Sequence, residues 1–238
     1  GIGVGIGVGR ARRRATPVNV LGTASSIVIV LAALCVVPAL PALVGAFEPV
    51  DGERIRTPVP TGWSLGVLTG VVVAAFAAAL NDHVSWLPAY AYLGVTGVLL
   101  AVIDIRVHRL PDAITLPSYP ILAALFGLAA VVDGDLGRWW RGLLAAAVVS
   151  VVSAGLWALP GAGLGFGDVK LAGLLGGALG WLGASAVLTG FVVGMTLAGM
   201  WALLLLVTRR ASLSARIAYG PFLLAGAFVA IVGWPARP

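Results

Sequence analysis

The chain alternates long apolar stretches with short segments that contain proline, glycine or charged residues. A helix needs about 20 largely apolar residues to cross the hydrocarbon core of a bilayer. Stretches of this kind predict spans near residues 20–46, 62–80, 88–103, 113–132, 139–159 and 217–234. The stretch 169–208 has a single charge, Lys170, and its length predicts two crossings with a break around residues 183–185. These stretches allow up to eight crossings, and we expect about seven spans in all.

The length of these stretches also indicates the type of fold. In lipid, backbone polar groups must be hydrogen-bonded within the protein, so a spanning segment is a helix or part of a closed barrel. Runs of about 20 apolar residues lack the alternating pattern of barrel strands. Only 10% of the residues are charged, compared with about 25% in soluble domains. The sequence therefore predicts an all-α, polytopic transmembrane helical bundle.

The basic residues lie in short clusters between the apolar stretches, although the net charge is +6. Such clusters are typical of membrane topology signals rather than of one basic soluble face. We therefore expect a lipid bilayer, and no nucleic acid, as a partner. The single cysteine, Cys35, lies in an apolar run, and neither histidine has the spacing of a metal ligand. No metal and no cofactor are expected.

The positive-inside rule predicts the orientation of the bundle only in part. The loops that carry Arg106, Lys170 and Arg209 are separated by even numbers of spans, so they share one face, which the rule makes cytoplasmic. The same count places the arginine-rich tail at 10–14 and the loop with Arg138 on the other face, against the rule. Either the tail is not part of the natural protein, or the first stretch, which contains two prolines, does not cross simply.

Two aspartates at the ends of predicted spans suggest chemistry. Asp104 ends an apolar run, and Asp168 follows the glycine-rich turn at 161–167. Two spans separate them, so both carboxyl groups can meet at one membrane face. Neighbouring carboxyl groups share a proton. The ionised group can then take a proton from an attacking water, while the neutral group polarises a peptide carbonyl.

Structural roles for these acids stay open at this point. Asp168 could cap a helix that starts at Val169, because an N-cap aspartate accepts backbone N–H bonds. Asp104 could be an interfacial charge that is balanced by a nearby arginine. Asp112 follows Pro111 and precedes an apolar helical run, which is the position of a helix cap.

Three segments resemble the type IV prepilin peptidase family, a group of GxGD-type aspartyl proteases. They are DIRVHRLPDAITLP at 104–117, GFGDVKL at 165–171 and YGPFL at 219–223, in the family's order, and the resemblance extends over residues 88–234. It implies that Asp104 and Asp168 are the catalytic pair and that the glycines bring the substrate backbone close. The further motif residues are Gly165, Gly167, Lys170, Pro111, Asp112, Gly220 and Pro221.

The resemblance also implies a substrate and a location. The substrate would be a prepilin or pseudopilin precursor, whose leader is cut at the cytoplasmic face of a bacterial plasma membrane. An apolar substrate helix would enter the bundle laterally. For Lys170, a role toward the substrate and simple snorkelling of a basic chain to the interface stay equally open.

The chain departs from many members of the family after its first span. Those members carry a cytoplasmic insert there, often with four cysteines, and they also methylate the trimmed pilin. This chain has only residues 47–61 at that place and no cysteine pair. We therefore expect leader cleavage and do not extend N-methyl transfer to this chain.

The expected organisation has three parts: a basic tail at 1–19, membrane helices at 20–87 with the short 47–61 loop, and a catalytic membrane domain at 88–238. Two other functions remain as alternatives. Paired acids in a membrane also occur in proton-coupled transporters, although the sequence has no evident inverted repeat. A non-enzymatic assembly protein of a pilus or secretion system is the second alternative.

Overall fold

The structure is a computed structural model that describes residues 39–46, 62–159, 164–209 and 218–234. Several predicted features lie outside these residues. They are the basic tail, most of the first predicted span, the 47–61 loop and residues 161–163 of the glycine-rich turn.

The described residues form α-helices joined by short connections. The helices are α1 (Leu40–Ala46), α2 (Gly62–Ala79), α3 (Leu87–Val107), α4 (Asp112–Asp133), α5 (Leu136–Trp157), α6 (Phe166–Leu182), α7 (Ala184–Val207) and α8 (Gly220–Val232). A 3-10 turn, Val84–Trp86, leads directly into α3. The predicted all-α fold is confirmed.

The helices α3, α4, α5 and α7 are long and apolar enough to cross a membrane, and the chain is a multi-pass membrane protein. The predicted break in the stretch 169–208 is also confirmed. Gly183, with a φ of 137°, separates α6 from α7. This backbone conformation is one that residues with a side chain rarely adopt. The chain can therefore reverse direction there within a single residue.

Helix α6 lies at the centre of the bundle, and 13 of its 17 residues are buried. Its glycines face α5 closely. A Cβ at Gly176 would lie 2.8 Å from the Cβ of Val149, and one at Gly180 would collide with Ala145. Small residues allow this close approach, which is how helices pack in lipid without a hydrophobic driving force.

The end of the bundle opposite Asp104 is closed by aromatic packing. The Trp86 indole N–H donates to Asp133 Oδ2 at 2.6 Å, and the His83 ring stacks on Trp86 with centroids 3.9 Å apart. Trp234, after α8, contacts both rings. Because Trp86, Asp133 and Trp234 meet at this end, the ends of α3, α5 and α7 lie at the other. The predicted parity of the spans is confirmed for these helices.

Candidate active site

Asp104 lies in the last turn of α3 and is 4% exposed. Its Oδ2 atom accepts a hydrogen bond from the backbone N–H of Gly220 at 3.1 Å. The helix ends at Val107, because His108 takes a left-handed conformation and donates its N–H to the Asp104 carbonyl at 2.8 Å. The carboxyl group is thus held where the third sequence motif begins, 116 residues further along the chain.

Asp168 lies in the first turn of α6 and is 8% exposed. The expectation that it caps a helix starting at Val169 is wrong, because α6 begins at Phe166 and Gly165 is its N-cap. Asp168 is the third helical residue, and its Oδ2 atom accepts the Gly165 N–H at 3.2 Å. An acid at this position satisfies a free N–H and lies favourably at the positive end of the helix.

The surroundings of the two carboxyl groups meet at Gly220, because a Cβ there would lie 2.7 Å from Asp104 Oδ2 and 3.5 Å from a methyl group of Leu171, one turn after Asp168. Each carboxyl group is buried and is held through one oxygen by a glycine N–H from a motif segment. Two carboxyl groups brought together in such a poorly solvated site would not both ionise readily.

The motif glycines lie against the protein's own residues. A Cβ at Gly220 would lie 2.7 Å from Asp104 Oδ2, and one at Gly165 would lie 3.1 Å from Asp168 Oδ2. A Cβ at Gly167 would lie 3.0 Å from the Cβ of Leu110. Any side chain at the first two positions would press on a carboxyl group. At Gly167, the second motif contacts Leu110 of the first motif.

Lys170 and Asp112 form an ion pair between α6 and α4, with Nζ 2.6 Å from Oδ1. Asp112 begins α4 as the sequence predicts, but Pro111 holds the N-cap position and the Asp112 carboxylate binds Lys170. Lys170 is thus tied to another motif residue. Pro221 stands in the first turn of α8, where its missing N–H costs no hydrogen bond.

A cavity of about 580 Å³ opens beside Asp168, between α5 and α6 on one side and α7 and α8 on the other. Asp168 is the acid among its lining residues. The remaining lining residues are mostly small or apolar: Ser153, Leu156, Leu159, Leu164, Ala172, Phe191, Gly194, Met195, Ala198, Gly199, Ala202, Tyr219 and Leu223. Among the described residues, no three His, Cys, Asp or Glu side chains are grouped so as to hold a metal ion.

Part of the chain matches a known protein family. The model of the type IV leader peptidase family matches residues 91–203, a range that includes both aspartates. Over these residues the chain is similar to the type IV leader peptidase family. A prepilin leader peptidase/N-methyltransferase from Bacillus subtilis (strain 168) is 25% identical over 179 residues, which are 75% of this chain and 67% of that protein. No solved structure matches the chain.

Sequence reasoning missed several residues around this site. Tyr119 donates its hydroxyl to the Lys170 carbonyl at 2.6 Å. Leu171, which is fully buried, lies against the position of a Cβ at Gly220. Ser153 and Tyr219 line the cavity. Leu171 and Tyr219 carried a signal, because they belong to the second and third motifs. The others are ordinary residues of apolar helices.

Proposed function

We propose that this chain is a membrane-embedded aspartyl endopeptidase that removes the leader peptide from prepilins or pilin-like precursors. The single observation that carries the proposal is the placement of Asp104 and Asp168 at the same end of the bundle. Both carboxyl groups are buried, each accepts a glycine N–H, and Gly220, which holds Asp104, lies beside Leu171, one turn after Asp168. The match to the type IV leader peptidase family model and the name of the Bacillus relative support the peptidase role.

The proposed substrate has a positively charged leader ahead of an apolar helix. The cavity beside Asp168 supports lateral entry of such a helix, because its walls are mostly apolar and one wall carries the small residues Gly194, Ala198 and Gly199. A helical peptide bond is shielded by its own hydrogen bonds. The segment at the scissile bond must therefore unwind, and we place it next to Asp168.

The proposed reaction is hydrolysis by an activated water. The ionised aspartate accepts a proton from water as the water oxygen attacks the scissile carbonyl carbon. The neutral aspartate donates its proton to the carbonyl oxygen, which gives a tetrahedral diol. Collapse of the diol breaks the C–N bond. The first aspartate passes its proton to the leaving nitrogen, and one diol hydroxyl returns its proton to the second aspartate as the C=O bond re-forms. The two carboxyl groups then again share one proton.

The glycine N–H groups have a defined part in this scheme. Those of Gly220 and Gly165 each hold an Oδ2 atom, so the Oδ1 atoms serve the water and the substrate. Preorganised groups of this kind need no rearrangement when the reaction occurs. We propose that the site lies near the cytoplasmic face of the bacterial plasma membrane, where Arg106 and Lys170 flank it. N-methyl transfer, which is part of the relative's name, is not included in the proposal.

The experiment compares wild type with Asp104→Asn and Asp168→Asn, each purified and reconstituted with a prepilin. Both variants should lose leader cleavage while they keep their helical content. Asp82→Asn is the matched control, because Asp82 is exposed on the loop after α2. It should cleave normally.

Other outcomes would favour the alternatives. If either site variant still trims the leader, the two-aspartate mechanism fails. If wild type does not cleave but carries protons across vesicles in a manner dependent on Asp104, the chain is a transporter. If wild type neither cleaves nor carries protons, a role in assembly is favoured.

A further inference from the structure

We infer that the Lys170–Asp112 ion pair is a positioning device that sets the separation of Asp104 and Asp168. The inference rests on the proposed function, because it concerns the geometry of the same two carboxyl groups. It assigns Lys170 to the protein's own first motif, not to the substrate and not to the membrane interface.

Two contacts tie the start of α6 to α4 through Lys170. Its ammonium lies 2.6 Å from Asp112 Oδ1 and also stands 4.7 Å above the ring of Phe166, the first residue of α6. Its backbone carbonyl accepts the hydroxyl of Tyr119, two turns into α4, at 2.6 Å. Lys170 follows Asp168 by only two residues, so these contacts fix the turn of helix that carries Asp168.

The same end of α4 is tied to Asp104 by a very short connection. Only residues 108–111 join α3 to α4. Within that connection, His108 closes α3 by bonding to the Asp104 carbonyl, and Leu110 lies against Gly167. The start of α4 therefore cannot shift relative to α6 without moving the end of α3. The ion pair closes a ring of contacts that contains both aspartates.

The energetics point to geometry rather than to stability as the purpose of the pair. The Asp112 side chain is 58% exposed, while that of Lys170 is 19% exposed. Ion pairs with such exposure contribute little to folding, because water screens the attraction. A misplacement of about 1 Å, in contrast, can lower an enzymatic rate by about 100-fold. Loss of the pair should therefore affect turnover more than folding.

The test is a double-mutant cycle with Lys170→Met, Asp112→Asn and the double variant, assayed on a prepilin in liposomes. Each single variant should lower kcat by about 10-fold while KM changes by less than about twofold. The double variant should also lose about 10-fold, not about 100-fold, because either substitution alone already breaks the pair. Lys170→Arg, which keeps the charge and the reach, should keep kcat near the wild-type value.

The controls separate this inference from a folding defect and from the proposed function. Asp135→Asn breaks the comparable pair with Arg138 at the other end of the bundle and should leave kcat unchanged. Thermal unfolding in detergent should be similar for all variants. Failure of Asp104→Asn to abolish cleavage would reject the proposed function itself, whatever the cycle shows.

Three results would overturn the inference. The two single effects could multiply to about 100-fold, which would mean independent roles. Asp112→Asn could leave kcat unchanged while Lys170→Met raises KM, which would place Lys170 on the substrate. Both single variants could cleave like wild type, which would leave the pair without a role in turnover.

Discussion

Replacement of Gly220 by alanine tests how closely the backbone of α8 must approach Asp104. An added Cβ would lie 2.7 Å from Asp104 Oδ2 and 3.2 Å from its Cγ. Ordinary van der Waals contact begins at 3.4 Å, so the carboxyl group has to retreat by about 0.7 Å. The added methyl group has little room to move away itself, because a buried Leu171 methyl group lies 3.5 Å from the same Cβ. The hydrogen bond from the Gly220 N–H must lengthen as the carboxyl group moves.

The size of the effect follows from this displacement. A misplacement of about 1 Å costs about 100-fold in rate, so Gly220→Ala should lower kcat by about 10- to 100-fold. That loss corresponds to roughly 1.4–2.7 kcal/mol of activation free energy. The fold itself should change little, because alanine favours a helix over glycine by up to about 1 kcal/mol, which offsets the local strain.

The assay is leader cleavage under saturating substrate, with a graded series of glycine variants. Gly165→Ala brings a Cβ to 3.1 Å from Asp168 Oδ2 and should lose only several-fold, because the required shift is about 0.3 Å. Gly155→Ala is the control, since a Cβ there meets nothing within 4 Å. It should keep full activity. Wild-type turnover by a folded Gly220→Ala variant would refute the idea that this contact positions Asp104.

Two further predictions concern the cavity and the opposite end of the bundle. Gly199→Leu should raise KM several-fold with kcat unchanged, because a Cβ at Gly199 has open space and the side chain would fill the cavity. Gly155→Leu is its lipid-facing control, and equal KM values for the two would contradict substrate binding there. Burial, followed by the charge of Arg138, lowers the pKa of His83. The folded protein therefore binds fewer protons than the unfolded chain as the pH falls through about 6.5, and His83 lowers stability in acid. When the pH is lowered from 7.5 to 5.5, the melting temperature of His83→Gln should fall less than that of wild type. An equal fall in both proteins would refute this.

The sequence alone was sufficient for the described helices from α2 onward and for placing the two aspartates at the same end of the bundle. Both follow from local rules, because a span is recognised by the hydropathy of about 20 residues and faces alternate with each crossing. The break before Ala184 was found in the same way, from the length of an apolar stretch. The order of the three motifs was sufficient to suggest Asp104 and Asp168 as partners.

Hydropathy could not show which helix is central. Helix α6 is buried on nearly all sides, whereas α5 is largely exposed to its surroundings. Both read as apolar, because the lipid and the protein interior are equally apolar environments. Only the close packing of the α6 glycines against Ala145 and Val149 distinguishes the central helix, and those contacts depend on tertiary structure.

Tertiary structure also decided the contacts of the site. The sequence left Lys170 between the substrate and the interface, whereas the structure pairs it with Asp112, which is 58 residues away. Similarly, Asp104 receives its hydrogen bond from Gly220, across 116 residues. Patterns along the chain report the local environment of each residue and the order of the spans. The distance between two side chains on different helices depends on how the helices pack, and packing is a property of the whole bundle.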